Sequence, residues 1–176
     1  MLMPTANNPV QLINRNMPIC CLENLRSEML PGSRLLGLDL GSKTIGLALS
    51  DPALIVASPI DTFHRTKFGK DAAKLQWLIE DRSVGGIVLG LPINMDGSEG
   101  PRCQSTRQFA ANLIQTGMDR PIAFWDERLS TAAVERVLID EADMSRRRRA
   151  NVIDKMAAAY ILQGALDRLR GIANEA

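Results

Sequence analysis

The chain has 176 residues, 45% hydrophobic and 23% charged, with a formal net charge of +1. That length suits one domain rather than a two-domain clefted enzyme, and no apolar run reaches the ~20 residues that a membrane span requires. The near-neutral balance gives no global attraction for nucleic acid, so any such binding must come from a local concentration of basic residues.

Residues 1 to about 21 mix Pro, Asn and Met without a sustained period and lack the positive and continuously apolar regions of a secretory signal, so export is not expected. Cys20, Cys21 and Cys103 form no metal-ligand spacing. They read as reduced thiols of a cytoplasmic protein. Leu22 to Leu30 has the spacing for one or two helical turns, ended by Pro31-Gly32. Residues 1–33 are therefore an N-terminal extension, partly flexible, and the domain proper is expected over 34–172.

Two apolar stretches, Arg34 to Leu40 and Ile45 to Ser50, flank the short polar connection Gly41-Ser42-Lys43-Thr44 and predict a β-hairpin. Leu54 to Ile60, with β-branched Ile55 and Val56 and with Pro59 near its end, predicts a third strand of edge type, because proline cannot donate to a ladder. Lys67 to Asp81 places Ala72, Leu75, Leu78 and Ile79 at helical spacing. After Gly85-Gly86 comes the short buried strand Ile87-Val88-Leu89. Leu91 to Pro101 is too rich in turn formers to be either element. Thr106, Phe109, Ala110, Leu113 and Ile114 mark a second helix, Pro121 to Trp125 a fifth strand, and Ser130 an N-cap for a third helix carrying Val134, Val137 and Leu138. A last helix is expected from about Asn151 to Leu169. Three strands followed by alternating helices and single strands imply an α/β fold with a five-stranded mixed sheet flanked by helices. This order matches the ribonuclease H-like fold.

Asp39 interrupts an otherwise apolar strand, where an uncompensated carboxylate would cost several kcal/mol. Gly37 and Gly41 flank it at alternate positions and permit a ligand to come close. The plain alternative is a turn-adjacent Asp bonded to local N–H groups. Asp126 and Glu127 follow the fifth strand, and alternation puts them on opposite faces. Asp126 is favoured if the Ile122 face leads to the site; otherwise either acid simply starts the third helix, where negative charge suits the dipole. Asp154 shares a helical stripe with Ala158, Ile161 and Ala165, and Ala157, Ala158 and Ala159 would let that helix approach the sheet closely. Here too the alternative is an acid of the first helical turn. Three carboxylates from separate segments suit Mg²⁺ or Mn²⁺, and two such ions about 3.5 to 4 Å apart would serve phosphodiester cleavage. The run Arg146, Arg147, Arg148 and Arg149 is a solvated helix face or, beside a metal cluster, a phosphate-backbone clamp. Lys43 and Arg128 would add charge at the same edge, and Asn94 in the loop after the fourth strand would meet substrate there unless that loop only bonds itself. His64, the single histidine, reads as a solvated loop residue.

Taken together, G-L-D-L-G-S-K-T-I-G-L-A-L-S-D, I-V-L-G-L-P-I-N-M-D-G-S-E-G, D-E-R-L-S-T and D-K-M-A-A-A-Y-I-L-Q-G-A-L resemble the bacterial YqgF (RuvX) family of pre-16S rRNA nucleases and Holliday-junction-resolvase-like proteins. The resemblance spans roughly Arg34 to Arg170. It implies a ribonuclease H-like, metal-dependent endonuclease of ribosome biogenesis acting on precursor 16S rRNA, with Asp39, Asp126 or Glu127, and Asp154 at the metal site. A branched-DNA resolvase and a nucleic-acid-binding module without cleavage are the competing readings. The hairpin also resembles the first phosphate motif of the actin and sugar-kinase ATPases, but those close two such domains around ATP, and this chain has the length of one.

Overall fold

The computed structural model describes residues 19–129 and 146–175, with side chains of the last helix described from Ile153 to Asn174. Three antiparallel strands come first, β1 (Arg34–Leu40), β2 (Thr44–Ser50) and β3 (Ala57–His64). They are preceded by a short helix, α1 (Leu22–Glu28), and followed by α2 (Phe68–Asp81), β4 (Val84–Leu91), α3 (Pro101–Gln115) and β5 (Ile122–Asp126). A single 3₁₀ turn, Glu127–Leu129, leaves β5, and the long helix α4 spans Arg146–Glu175. The third helix expected after Ser130 lies outside the described residues.

The sheet order is β3-β2-β1-β4-β5, with β1 parallel to β4 and β4 parallel to β5. A three-stranded meander extended by two parallel strands is the ribonuclease H-like arrangement. Alternation along the strands sends side chains to two layers. Leu36, Leu38 and Leu40 of β1, Ile45, Leu47 and Leu49 of β2, and Ile87 and Leu89 of β4 pack with Leu75 and Ile79 of α2 and with Phe109 and Leu113 of α3. On the other face Leu35, Ala48, Val88, Ala123 and Trp125 pack beneath Ala158, Leu162, Ala165 and Leu166 of α4 and Leu25 of α1.

Helix α4 lies close to the sheet because small residues meet there. A Cβ at Gly37 would sit 2.7 Å from Leu162 Cβ and 3.0 Å from the Ala158 carbonyl oxygen. Gln163 ties the same helix to the edge of the sheet: its Oε1 accepts the Ala57 N–H at 2.9 Å and its Nε2 donates to the Ile55 carbonyl at 3.0 Å.

Two elements differ from the periodicity. Strand β3 begins at Ala57, three residues later than expected, because Asp51 Oδ1 accepts the N–H groups of Ile55 (2.7 Å) and Val56 (2.9 Å) and folds them into an exposed loop. It then continues, with Ile60 and Phe63 packed against the core, to His64, which pairs with Thr44 and is a strand residue. Strand β4 runs through Gly85-Gly86, which reads as a break in the sequence. The glycines instead make room for α1 and for the turn between α1 and β1: a Cβ at Gly86 would meet Met29 Sδ at 3.1 Å and Leu25 Cδ1 at 3.2 Å, and one at Gly85 would meet Ser33 Cβ at 2.4 Å.

Candidate functional site

The C-terminal ends of β1, β4 and β5 lie at one edge of the sheet, and the carboxylates singled out by sequence can be placed there one at a time. Asp39 is buried, 6% exposed, and shares its strand face with Leu35 and Gly37, the face covered by α4. Across β1–β2 it pairs with Gly46. Directly opposed residues of an antiparallel pair project to the same face. Over Gly46 lies the backbone of Asp154: a Cβ there would be 2.0 Å from the Asp154 carbonyl oxygen and 3.1 Å from the Lys155 nitrogen. On the other side of Asp39 the parallel register pairs Leu38 with Leu89, which brings Gly90 alongside Asp39. A Cβ at Gly90 would be 2.8 Å from Glu127 Oε1 and 2.5 Å from Ile161 Cδ1. Asp39 is thus flanked by two glycines, with the Asp154 backbone above one and the Glu127 carboxylate above the other.

Asp126 goes elsewhere. It follows Ile122 and Phe124, which face the α2–α3 layer. The face that carries Asp39 is the opposite one, so alternation selects Glu127 to join it. Asp126 is held by Arg128, whose Nη2 donates to Oδ2 at 2.7 Å, whose Nε lies 3.0 Å from the same oxygen, and whose backbone N–H donates to Oδ1 at 3.0 Å. This charge-assisted contact keeps the Asp126 carboxyl below the usual carboxylate range and raises Arg128.

Asp154 is partly buried, and its stripe partners Ala158, Ile161 and Ala165 are fully so. The helix starts at Arg146, earlier than the spacing suggested, so Asp154 lies eight residues inside it. The dipole field falls off within the first turn. A capping role therefore does not account for this acid. Arg146, Arg147, Arg148 and Arg149 form the start of α4, and their side chains lie outside the described residues.

The loop between β4 and α3 bonds largely to itself. Asn94 Nδ2 donates to Ser98 Oγ at 2.9 Å, and Asp96 Oδ1 accepts both the Ser98 N–H (2.9 Å) and its hydroxyl (2.7 Å). These bonds, with Arg128 nearby, hold the Asp96 carboxyl low. Glu99 is tied to Arg107 of α3. At the other end of the edge, Lys43 is exposed in the β1–β2 turn, and the guanidinium of Arg65 donates to the Gly41 carbonyl at 2.8 Å, bracing that turn. Gly46 and Gly90 escaped the sequence reading. Their signal was present as glycines on the same side as Gly37, each next to the Asp39 position in a neighbouring strand, but it requires the strand register to be seen.

Asp39, Glu127 and Asp154 offer hard carboxylate oxygens, the donor type suited to Mg²⁺ or Mn²⁺. The glycines at positions 46 and 90 let the Asp154 backbone and the Glu127 carboxylate come down onto the strands beside Asp39, where a Cβ would clash with them. Among the described residues no three His, Cys, Asp or Glu side chains already close on one metal-sized point. The three acids fit such an ion in donor chemistry, and their side chains are not gathered around one point. Among the described residues no helix is long and apolar enough to cross a membrane.

Topology and the acidic strand edge give the protein the frame of the ribonuclease H-like class. A family model described as RuvX, Holliday junction resolvase, matches residues 33–168, and the chain belongs to the RuvX family. A relative from Paramagnetospirillum magneticum, named "Putative pre-16S rRNA nuclease", is 61% identical over 89% of this chain and 100% of its own length. One of the same name from Roseobacter denitrificans is 64% identical over 83% of this chain and 90% of its own. Among solved structures, T. thermophilus RuvC in complex with a Holliday junction substrate is similar over 78% of this chain and 96% of that chain, at 11% identity and a TM-score of 0.49.

Proposed function

We propose that this protein is a metal-dependent endonuclease that hydrolyses phosphodiester bonds and processes the 5′ end of precursor 16S rRNA, with Asp39, Glu127 and Asp154 as its metal-holding carboxylates. The observation that carries this reading is the placement of Asp39 between Gly46 and Gly90, with the Asp154 backbone over the first and the Glu127 carboxylate over the second. The rRNA substrate rests on the names of relatives about 60% identical to this chain.

Each residue has a separate task. Asp39, buried on a central strand, is the fixed member of the set, since its backbone is paired on both sides. Glu127 reaches back from the turn after β5, and Asp154 is delivered by α4. When bound, one or two Mg²⁺ or Mn²⁺ ions would neutralise charge on the scissile phosphate and lower the pKa of the attacking water. Arg128, held by Asp126, stiffens the turn that carries Glu127 and places a guanidinium at its outer side. Lys43 stands at the opposite end of the edge, where it would meet a neighbouring phosphate. The arginines 146–149, preceding Asp154 on the same helix, would extend that contact.

Purified protein with Mg²⁺ or Mn²⁺ is expected to cut a precursor 16S rRNA fragment, and Asp39→Asn is expected to abolish the cut. Cleavage by Asp39→Asn at the wild-type rate would refute the site. A four-way DNA junction offered against the RNA in the same reaction tests the substrate: preferential cutting of the junction would replace rRNA with branched DNA.

A further inference from the structure

The segment from Arg65 to Lys74 carries Arg65, Lys67, Lys70 and Lys74, while the whole chain has a net charge of only +1. Its one acid, Asp71, is buried, and its carboxylate is spent on Thr66, accepting the backbone N–H at 2.9 Å and the hydroxyl at 2.8 Å. Lys67, Lys70 and Lys74 are exposed, and among the described residues no carboxylate pairs with them. Arginines 82, 107, 120, 128 and 170, by contrast, each have an acidic partner.

Position adds to charge. Lys67 is the N-cap of α2, and steps of three, four and three residues put Lys67, Lys70, Lys74 and Trp77 on one stripe. Ala72 and Ile79 lie on the opposite side of the helix, and the buried face they belong to extends through Leu75 to Leu78, which borders the stripe. Trp77 is 64% exposed, although an indole of that size normally gains by burial. The stripe begins at the proposed site's own edge. Arg65 bonds Gly41, two residues beyond Asp39, and its backbone N–H donates to the Lys43 carbonyl at 2.8 Å.

We infer that the Lys67–Lys70–Lys74–Trp77 stripe of α2 is a binding track for a single-stranded nucleic-acid segment flanking the cleavage point, the lysines meeting phosphates and Trp77 stacking on a base. Cations without carboxylate partners, Lys74 lying over the Phe63 ring at 5.7 Å from its centroid, are spaced along a helix and ended by an exposed aromatic ring, the two components that sequence-tolerant single-strand binding uses. This inference rests on the nuclease reading for its ligand, but its test needs no cleavage.

The test measures anisotropy of a fluorescein-labelled uridine oligonucleotide with full-length protein in EDTA, over a series of salt concentrations. Lys67→Gln/Lys70→Gln/Lys74→Gln is expected to weaken binding and to flatten the slope of log K against log salt by about 2, as loss of three phosphate contacts to a single strand requires. Trp77→Ala is expected to weaken binding roughly tenfold with the slope unchanged, as loss of one stacked base would. Circular dichroism confirms that each variant is folded, which exposed positions on α2 favour. Wild-type affinity and slope in the triple variant would overturn the inference, as would an absence of oligonucleotide binding by wild type. Phosphatidylserine vesicles that bind more tightly than the oligonucleotide, and lose binding in the same triple variant, would also overturn it by assigning the stripe to a lipid surface. If wild type binds RNA through the stripe yet cuts nothing with Mg²⁺, the track stands and the nuclease reading fails.

Discussion

At the scale of single residues, an acid is informative when the sequence around it is apolar. Asp39 stood out in the sequence because its neighbours in the strand are leucines and glycines, and Asp154 because its stripe is small and apolar. Asp126 and Glu127 could not be separated that way: alternation assigns them opposite faces but does not say which face holds the site. In the structure Ile122 and Phe124 face the α2–α3 layer while Asp39 faces α4, which is the ground on which Glu127 is proposed and Asp126 is not. Asp126 then has a structural task with Arg128, and this task makes stability depend on pH. Its carboxyl titrates below the usual range in the folded state, so the contact stabilises above the unfolded value near ~3.9 and is lost as pH falls through the lower folded value. Urea unfolding midpoints recorded from pH 6 downward, to about pH 2, should fall less steeply for Asp126→Asn than for wild type. Parallel curves would mean that Arg128 gives Asp126 no net stabilisation.

Elements were legible where one periodicity ruled and illegible where a local bond competed with it. The hairpin β1–β2 and helices α2 and α3 follow their hydrophobic spacing closely. Strand β3 does not, because the Asp51 carboxylate captures the amides of the two β-branched residues that had suggested its start. Strand β4 was longer than its apolar run because its glycines serve packing against α1 and Ser33, a contact between distant segments that no local window contains. The glycines under α4 allow two variants to be told apart. Gly46→Ala would drive a Cβ against the carbonyl of Asp154, backbone that cannot give way without moving the helix, and should cost roughly 1 to 3 kcal/mol or more of stability, read by urea unfolding. Gly90→Ala meets the ends of two flexible side chains, Glu127 and Ile161. It should leave the unfolding midpoint nearly in place while displacing the Glu127 carboxylate and lowering cleavage. A Gly46→Ala protein as stable as wild type would show that α4 does not rest on the sheet as described.

For the molecule as a whole, the order of strands and helices was enough to identify the mixed sheet, since a meander followed by βα crossovers has few ways to close. What it did not reveal is that the segment before the sheet contributes to the core. Leu22, Leu25 and Met29 of the expected extension are buried against β4 and α4, and the Cys20 amide donates to the Ile122 carbonyl at 3.0 Å. Leu25→Ala should therefore destabilise the protein by about 2 to 5 kcal/mol, as a fully buried leucine does, and a change within ~0.5 kcal/mol would detach α1 from the folding unit. The same α4-covered face joins architecture to chemistry, because α1, the central strands and the three proposed ligands all meet it. The measurement that tests this most directly is Mn²⁺-dependent cleavage of precursor 16S rRNA by wild type, Glu127→Gln and Asp126→Asn side by side. Glu127→Gln is expected to lose on the order of 100-fold or more in rate, as removal of one preorganised charge at a reaction centre does, while Asp126→Asn keeps most of its activity. Full activity in Glu127→Gln with none in Asp126→Asn would contradict the assignment.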